Sequence, residues 1–249
     1  MTDHTTIDGR EGLATTPARN LALDCIQAGI DAAHPRRVVR SSVSLDGDRL
    51  TIEDATYDLG DYEEVVVVGG WKATGTVAAV LADVLGDRLT GGAIVTDEPV
   101  SIPGVESFEG GHPVPTEEGV AGAERVLELA ESAGEETLVL AAITGGGSAL
   151  MTAPAEGIGL ADVRAVTDAM LEAGMEIHDI NAVRKHLSAI KGGNLARAVA
   201  PATVATLVFS DVVGNDRSVI ASGPTAPDDS THADALAALD RHDVGVPDA

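Results

Sequence analysis

Of sixteen basic residues only three are lysines, and each stands within or beside a glycine-bearing stretch. Lys72 follows Val65-Val66-Val67-Val68-Gly69-Gly70-Trp71, while Lys185 and Lys191 lie in the segment running from Asn181 to Gly192-Gly193. A compact ammonium charge beside glycine-rich backbone is the combination that phosphate sites use. Three further stretches offer complementary chemistry. Thr144-Gly145-Gly146-Gly147-Ser148 lets backbone amides approach an anion closely and adds the Ser148 hydroxyl. It matches neither a Walker A loop, nor G-x-G-x-x-G, nor the G-x-S-x-G elbow. Ser210-Asp211-Val212-Val213-Gly214-Asn215-Asp216 carries two carboxylates and an amide, a donor set suited to magnesium. Asp211 is alternatively a proton acceptor for a substrate hydroxyl, and Asp216 taken alone reads better as a turn cap. His112, between Gly111 and Pro113, is a candidate carboxylate ligand or a helix cap.

The basic segment is the most specific of these. Arg184, Lys185 and His186 are consecutive, and a helical spacing of seven would align Arg184 with Lys191. Gly192 and Gly193, ahead of an alanine-rich helix, would set Lys191 beside a helix N-terminus where an anion is favoured. In so acidic a chain this clustering of cations is unlike a merely solvated patch.

The elements that position these residues follow from periodicity. Apolar spacing predicts helices over residues 18–33, Thr74–Leu85, Glu117–Ser132, Leu160–Ala173, Gly193–Ala200 and Ala233–Arg241. Val65–Val68, Gly92–Thr96, Thr137–Ile143 and Val204–Phe209 read as buried strands, and Val43 to Leu59 as a hairpin around Asp46-Gly47-Asp48. The alternation predicts an α/β fold with a parallel sheet and helices on both faces. Loops at the carboxyl ends of three strands should then converge on one crevice. Residues 1–17 are polar and are expected to be mobile, with the folded domain over 18–249. Cys25, in an apolar run, is expected to be a buried thiol; a lone cysteine excludes an internal disulfide.

The formal charge of -24, from 16 basic and 40 acidic residues, repels nucleic acid and anionic membrane, so neither is an expected partner. An ordinary hydrophobic fraction of 44% argues against disorder. With no basic flank before an apolar stretch and no bilayer-length apolar run, a cytoplasmic protein is expected. Its acidity and scarcity of lysine resemble the proteins of salt-accumulating archaea.

Together the segments 181–193, Ser210–Gly214, Ile220-Ala221-Ser222-Gly223-Pro224-Thr225, Gly111–Pro115 and Thr144–Leu150 resemble the glycerate 2-kinase family, from about Leu21 to the last residue. The resemblance implies a Rossmann-like N-terminal domain facing a second domain. It also implies transfer of the γ-phosphoryl group of ATP to the 2-hydroxyl of D-glycerate, with Mg2+ as the ion. Lys72 matches the family's active-site lysine, although the turn here reads Gly-Trp-Lys-Ala, and Thr144 stands where serine is usual. The family's C-terminal domain, which supplies a further active-site arginine, is expected to lie outside this chain, joined to it or separate.

In the resulting scheme Lys72 and Asp211 are catalytic. Gly145, Gly146, Gly147, Ser148, Lys191, Gly192 and Gly193 hold ATP phosphates; Arg184, Lys185 and His112 hold substrate; Asp211 and Asp216 hold metal. The alternatives are a non-catalytic nucleotide- or glycerate-binding fragment and, further off, a hydroxypyruvate reductase, for which no dinucleotide fingerprint occurs.

The charge generates a direct expectation. Between about 0.1 and about 1 M salt the Debye length falls from about 10 to about 3 Å. Screening of self-repulsion should therefore raise the melting temperature across that range of KCl, followed by circular dichroism; an unchanged or falling value would contradict a salt-adapted surface.

Overall fold

The computed structural model describes residues 6–112, 114–145, 150–210 and 212–245. Expectations placed on Gly146, Gly147, Ser148 and Asp211 therefore fall outside the described residues. The chain divides into two compact units, Met1–Asp58 and Leu59–Ala249. The strands nearest the N-terminus form a sheet of their own within the first unit.

In the first unit, α1 (Arg10–Leu13) and α2 (Pro17–Ala33) precede α3 (Pro35–Ser42). α1 thus lies inside a segment expected to be mobile. Thr16 caps α2 by accepting the Arg19 N–H, and Pro17 occupies its first turn, where a missing donor costs nothing. β1 (Val43–Asp46), β2 (Arg49–Ile52) and β3 (Ala55–Asp58) make an antiparallel sheet in that order, one strand more than the expected hairpin.

The second unit holds β4 (Glu64–Gly70), α4 (Thr74–Leu85), β5 (Gly91–Thr96), β6 (Val105–Glu109), α5 (Glu117–Ser132) and β7 (Thr137–Thr144). After these come α6 (Leu160–Glu172), α7 (Ile177–His186), α8 (Asn194–Val199), β8 (Thr203–Phe209) and α9 (His232–Arg241). The five strands are parallel in the order β6-β5-β4-β7-β8. Counted along the chain this is 3-2-1-4-5, the doubly wound order, with its reversal between β4 and β7. α4 joins β4 to β5, whereas α5 joins β6 back across the sheet to β7; right-handed crossovers running in opposite directions along the sheet put α4 and α5 on opposite faces.

Every residue of β7 is buried, and β4 is buried from Val65 onward, as expected of central strands covered on both faces. On one face Val66, Val68, Val95, Val139 and Ile143 pack with Val126 of α5 and Leu195 of α8. β4 and β7 approach so closely that a side chain at Gly69 would place Cβ 2.1 Å from the Ala142 carbonyl oxygen. Glycine is the residue that fits there, immediately before the turn that carries Lys72. Among the described residues, no helix is long and apolar enough to cross a membrane.

Candidate active site

The carboxyl ends of β4, β7 and β8 are neighbours, so the loops that follow them share one edge of the sheet. The turn after β4 is strained: Trp71 has φ 120, unusual for a residue with a side chain. Such a conformation costs about 1–3 kcal/mol and is retained where neighbours hold it. Here the Trp71 N–H donates to the Val95 carbonyl (2.8 Å) and its own carbonyl accepts from Thr74 N–H (2.9 Å). The Trp71 ring is fully buried in the core, and its Nε1–H is a buried donor with no partner. Lys72, the next residue, is exposed.

Across the reversal point, the Ala73 N–H donates to Thr144 Oγ1 (3.4 Å), and Gly145 N–H donates to the Phe209 carbonyl (3.0 Å). The lysine turn, the end of β7 and the end of β8 are thereby tied in sequence, at the position where doubly wound sheets bind ligands. Beyond β8, Ser210 Oγ donates to the Val212 carbonyl, and Asp216 Oδ1 accepts from Ser218 N–H (2.9 Å) and Oγ–H (2.7 Å). Those bonds hold the Asp216 carboxyl below its ordinary pKa, with smaller help from the positive charges of Lys185 and His178.

The basic segment divides three ways. α7 ends at His186, so Arg184 and Lys191 do not share a helix as the spacing of seven implied; a turn brings Lys191 beside Arg184 instead. Lys191 is only 2% exposed, and its Nζ donates to the Met151 carbonyl at 2.7 Å. Burial, reinforced by the Arg184 charge, lowers its pKa to about 7. Arg184 is half-buried, its pKa is lowered by burial, and no carboxylate among the described residues pairs with it. Lys185 points elsewhere: its Nζ lies 2.9 Å from Asp228 Oδ1, which also accepts from Ser230. Burial works against the Asp228 charge, but these donors prevail and its pKa falls. This pair borders a cavity of about 850 Å3 that Asn194, Arg197 and His232 also line.

Gly192 and Gly193 are equally committed. Both adopt left-handed backbone (φ 60 and 80), and their N–H groups donate to the carbonyls of Ser222 (3.0 Å) and Gly223 (2.7 Å). The Gly192 and Gly193 N–H groups are thus spent inside the fold and form no open amide cradle, and the Lys191 ammonium is nearly closed off from solvent. Similarly, α8 has six residues and its N-terminal turn binds the 221–224 segment. His112 is exposed on the loop after β6, the edge opposite β8. Four strand spacings of about 4.8 Å separate those edges by about 19 Å.

One contact between two segments singled out above was not legible in the sequence. Asn181 and Ser222, both buried, are joined by a hydrogen bond from Ser222 Oγ to Asn181 Oδ1 (3.3 Å). Ala221, Ser222 and Gly223 are three consecutive left-handed residues (φ 61, 59 and 59). Their signal in the sequence is the small-residue run before Pro224. For magnesium, Asp216 offers one carboxylate already bonded to Ser218, and the described residues contain no group of three or more His, Cys, Asp or Glu able to hold a metal. The described side chains do not by themselves build a cage for the ion.

The strand order defines a doubly wound α/β domain, with an exposed lysine on the turn at its reversal point. The chain belongs to the family described as a domain of unknown function (DUF4147), whose model matches residues 21–249. It is similar to the D-glycerate 2-kinase of Thermotoga maritima, with 39% identity over 230 residues, 91% of this chain and 52% of that protein. It is also similar to a protein of Agrobacterium vitis named putative hydroxypyruvate reductase: 44% over 186 residues, 74% of this chain and 42% of that protein. A crystal structure of a Pyrococcus horikoshii OT3 protein superposes with a TM-score of 0.84 at 35% identity, over 94% of this chain and 53% of that one. The chain therefore spans about half the length of the relatives it matches.

Lys191 yields a pH expectation. Its folded pKa of about 7 lies below the ordinary 10.5, so in that window the unfolded chain binds more protons than the folded one. Stability should consequently rise with pH from about 7 to about 10.5, and Lys191→Met should lack that contribution. Urea unfolding of both proteins should show the wild type gaining on the variant as pH rises; a constant difference would contradict a buried, neutralisable Lys191.

Proposed function

We propose that this chain forms the phosphoryl-transfer half of a glycerate 2-kinase, which moves the γ-phosphoryl group of ATP to the 2-hydroxyl of D-glycerate and yields 2-phosphoglycerate and ADP. The observation that carries this reading is the exposed Lys72 ammonium at the β4–β7 reversal point, on a strained turn held by Val95 and Thr144. The names of the glycerate kinases it resembles support the acceptor.

In this reaction the bond from the γ-phosphorus to the β–γ bridging oxygen breaks, and one to the glycerate O2 forms. Little covalent chemistry falls to the protein; positioning and charge neutralisation dominate. Lys72 would neutralise the transferring group. Arg184, half-buried without a carboxylate partner among the described residues, would supply the fixed cation for a carboxylate or phosphate. Asp211, after Ser210 at the end of β8, is assigned the hydroxyl proton, which passes to its carboxylate as the oxygen attacks. Lys191 would act from behind, bracing Met151. The same reading makes the protein a salt-adapted cytoplasmic enzyme, consistent with its charge of -24.

Hydroxypyruvate reduction is the second reading, favoured only by the name of the Agrobacterium vitis relative. Nicotinamide dinucleotides use a glycine-rich first strand–helix turn that lets the pyrophosphate approach. Here that turn carries a buried tryptophan, and no G-x-G-x-x-G occurs.

The test is phosphorus NMR of product formed from ATP and D-glycerate by a chain of the relatives' length. The expected signal is 2-phosphoglycerate, with Lys72→Ala lowering kcat by on the order of 10²-fold, as for loss of a transition-state charge partner. Near-normal turnover by Lys72→Ala would remove the role given to Lys72.

A further inference from the structure

Helix α2 is turned the opposite way from a surface helix. A helix on a soluble domain buries its apolar stripe and leaves its polar stripe in water. In α2 the polar stripe is the one satisfied within its own unit. Arg10 of α1 donates to Asn20 Oδ1 (2.9 Å) and Gln27 Oε1 (3.2 Å) and pairs with Asp24. The sole buried residue of the helix is Asp31. The apolar residues face solvent: Leu21 is 63% exposed, Ile26 53% and Ile30 46%. Cys25, expected to be buried, is exposed in this stripe. Leu21 and Cys25 form one i,i+4 row, and Ala22, Ile26 and Ile30 the adjacent one, which is the ridge pattern of a helix packed against another element.

Exposed apolar rows of this kind mark interaction surfaces. The matched part of the Pyrococcus horikoshii structure covers 94% of this chain but only 53% of its own, so that protein carries much further polypeptide beside the same fold. We propose that the Leu21–Cys25 and Ala22–Ile26–Ile30 rows of α2 are the docking surface for the polypeptide that corresponds to the remainder of these relatives, whether continuous with this chain or supplied separately. The partner must present an apolar face, since the stripe has no charge to offer, and docking would order the sparsely packed first unit. The proposal is independent of the reaction performed at the β4–β7 edge.

Cys25, the single cysteine of the chain, is a reporter already in place. Its alkylation rate by a small maleimide can be compared in this chain and in one polypeptide that continues it with the unmatched part of the Thermotoga maritima relative. Docking predicts a rate at least about tenfold lower in the longer polypeptide, reflecting the free energy of opening the contact. Ile26→Lys supplies the second readout. It should leave the melting of this chain unchanged, because Ile26 is exposed, yet lower the melting temperature of the longer polypeptide and restore Cys25 reactivity. Equal alkylation rates in both polypeptides overturn the proposal, as does an Ile26→Lys effect of the same size in both. Protection of Cys25 that grows with the concentration of this chain alone also overturns it, and assigns the stripe to a second copy.

Discussion

Two segments thirty residues apart clasp each other backbone to backbone, and much of the site depends on that clasp. The N–H groups of Gly192 and Gly193 reach the carbonyls of Ser222 and Gly223, and the Ala196 N–H reaches Pro224. The geometry requires left-handed backbone on both sides, including at Ala221 and Ser222, where it costs about 1–3 kcal/mol for each residue with a side chain. A Cβ at Gly193 would stand 2.9 Å from the Ala226 carbonyl oxygen, so glycine is needed for closeness as well as for conformation. With the turn pinned in this way, Lys191 faces inward and meets Met151, which follows the glycine-rich stretch after β7. The ammonium that seemed available to a ligand instead joins two site-forming segments.

Charge placement follows from the same constraint. Burial lowers the preference of both Lys191 and Arg184 for the charged form, and at Lys191 the Arg184 charge adds to that penalty. Lys185, one residue from Arg184, is neutralised by Asp228 and leaves that pairing. Lys72 is exposed and Arg184 is half-buried without a carboxylate partner among the described residues.

The central strands are legible in the sequence because strands buried on both faces are continuous apolar runs; Val65–Val68 and Thr137–Ile143 needed only extension at their ends. β6, Val-Glu-Ser-Phe-Glu, is an edge strand with charged positions and no such run, and it was missed. The polar α7 and the arginine-rich α3 escaped for a similar reason, since their helicity owes more to packing than to an apolar stripe. Periodicity identified α2 but could not say which stripe the fold would cover, which is why Cys25 proved exposed. Likewise, residue types revealed that Lys72, Arg184 and Lys191 were unusual, whereas their directions depend on tertiary contacts with Thr144, Met151 and Ser222. The Gly-Gly pair is the instructive case: its place ahead of a helix was legible, its use as an inward clasp was not.

The central claim is that the β4–β7 edge, with Lys72 at its turn, is a nucleotide-phosphate site. Calorimetric titration in molar KCl with Mg-ATP, and separately with NADH, addresses it directly. The account predicts heat from Mg-ATP, weakened about tenfold or more, equivalent to about 1.4 kcal/mol, by Lys72→Ala, and none from NADH. Binding of NADH without Mg-ATP, or Mg-ATP binding indifferent to Lys72, would contradict it.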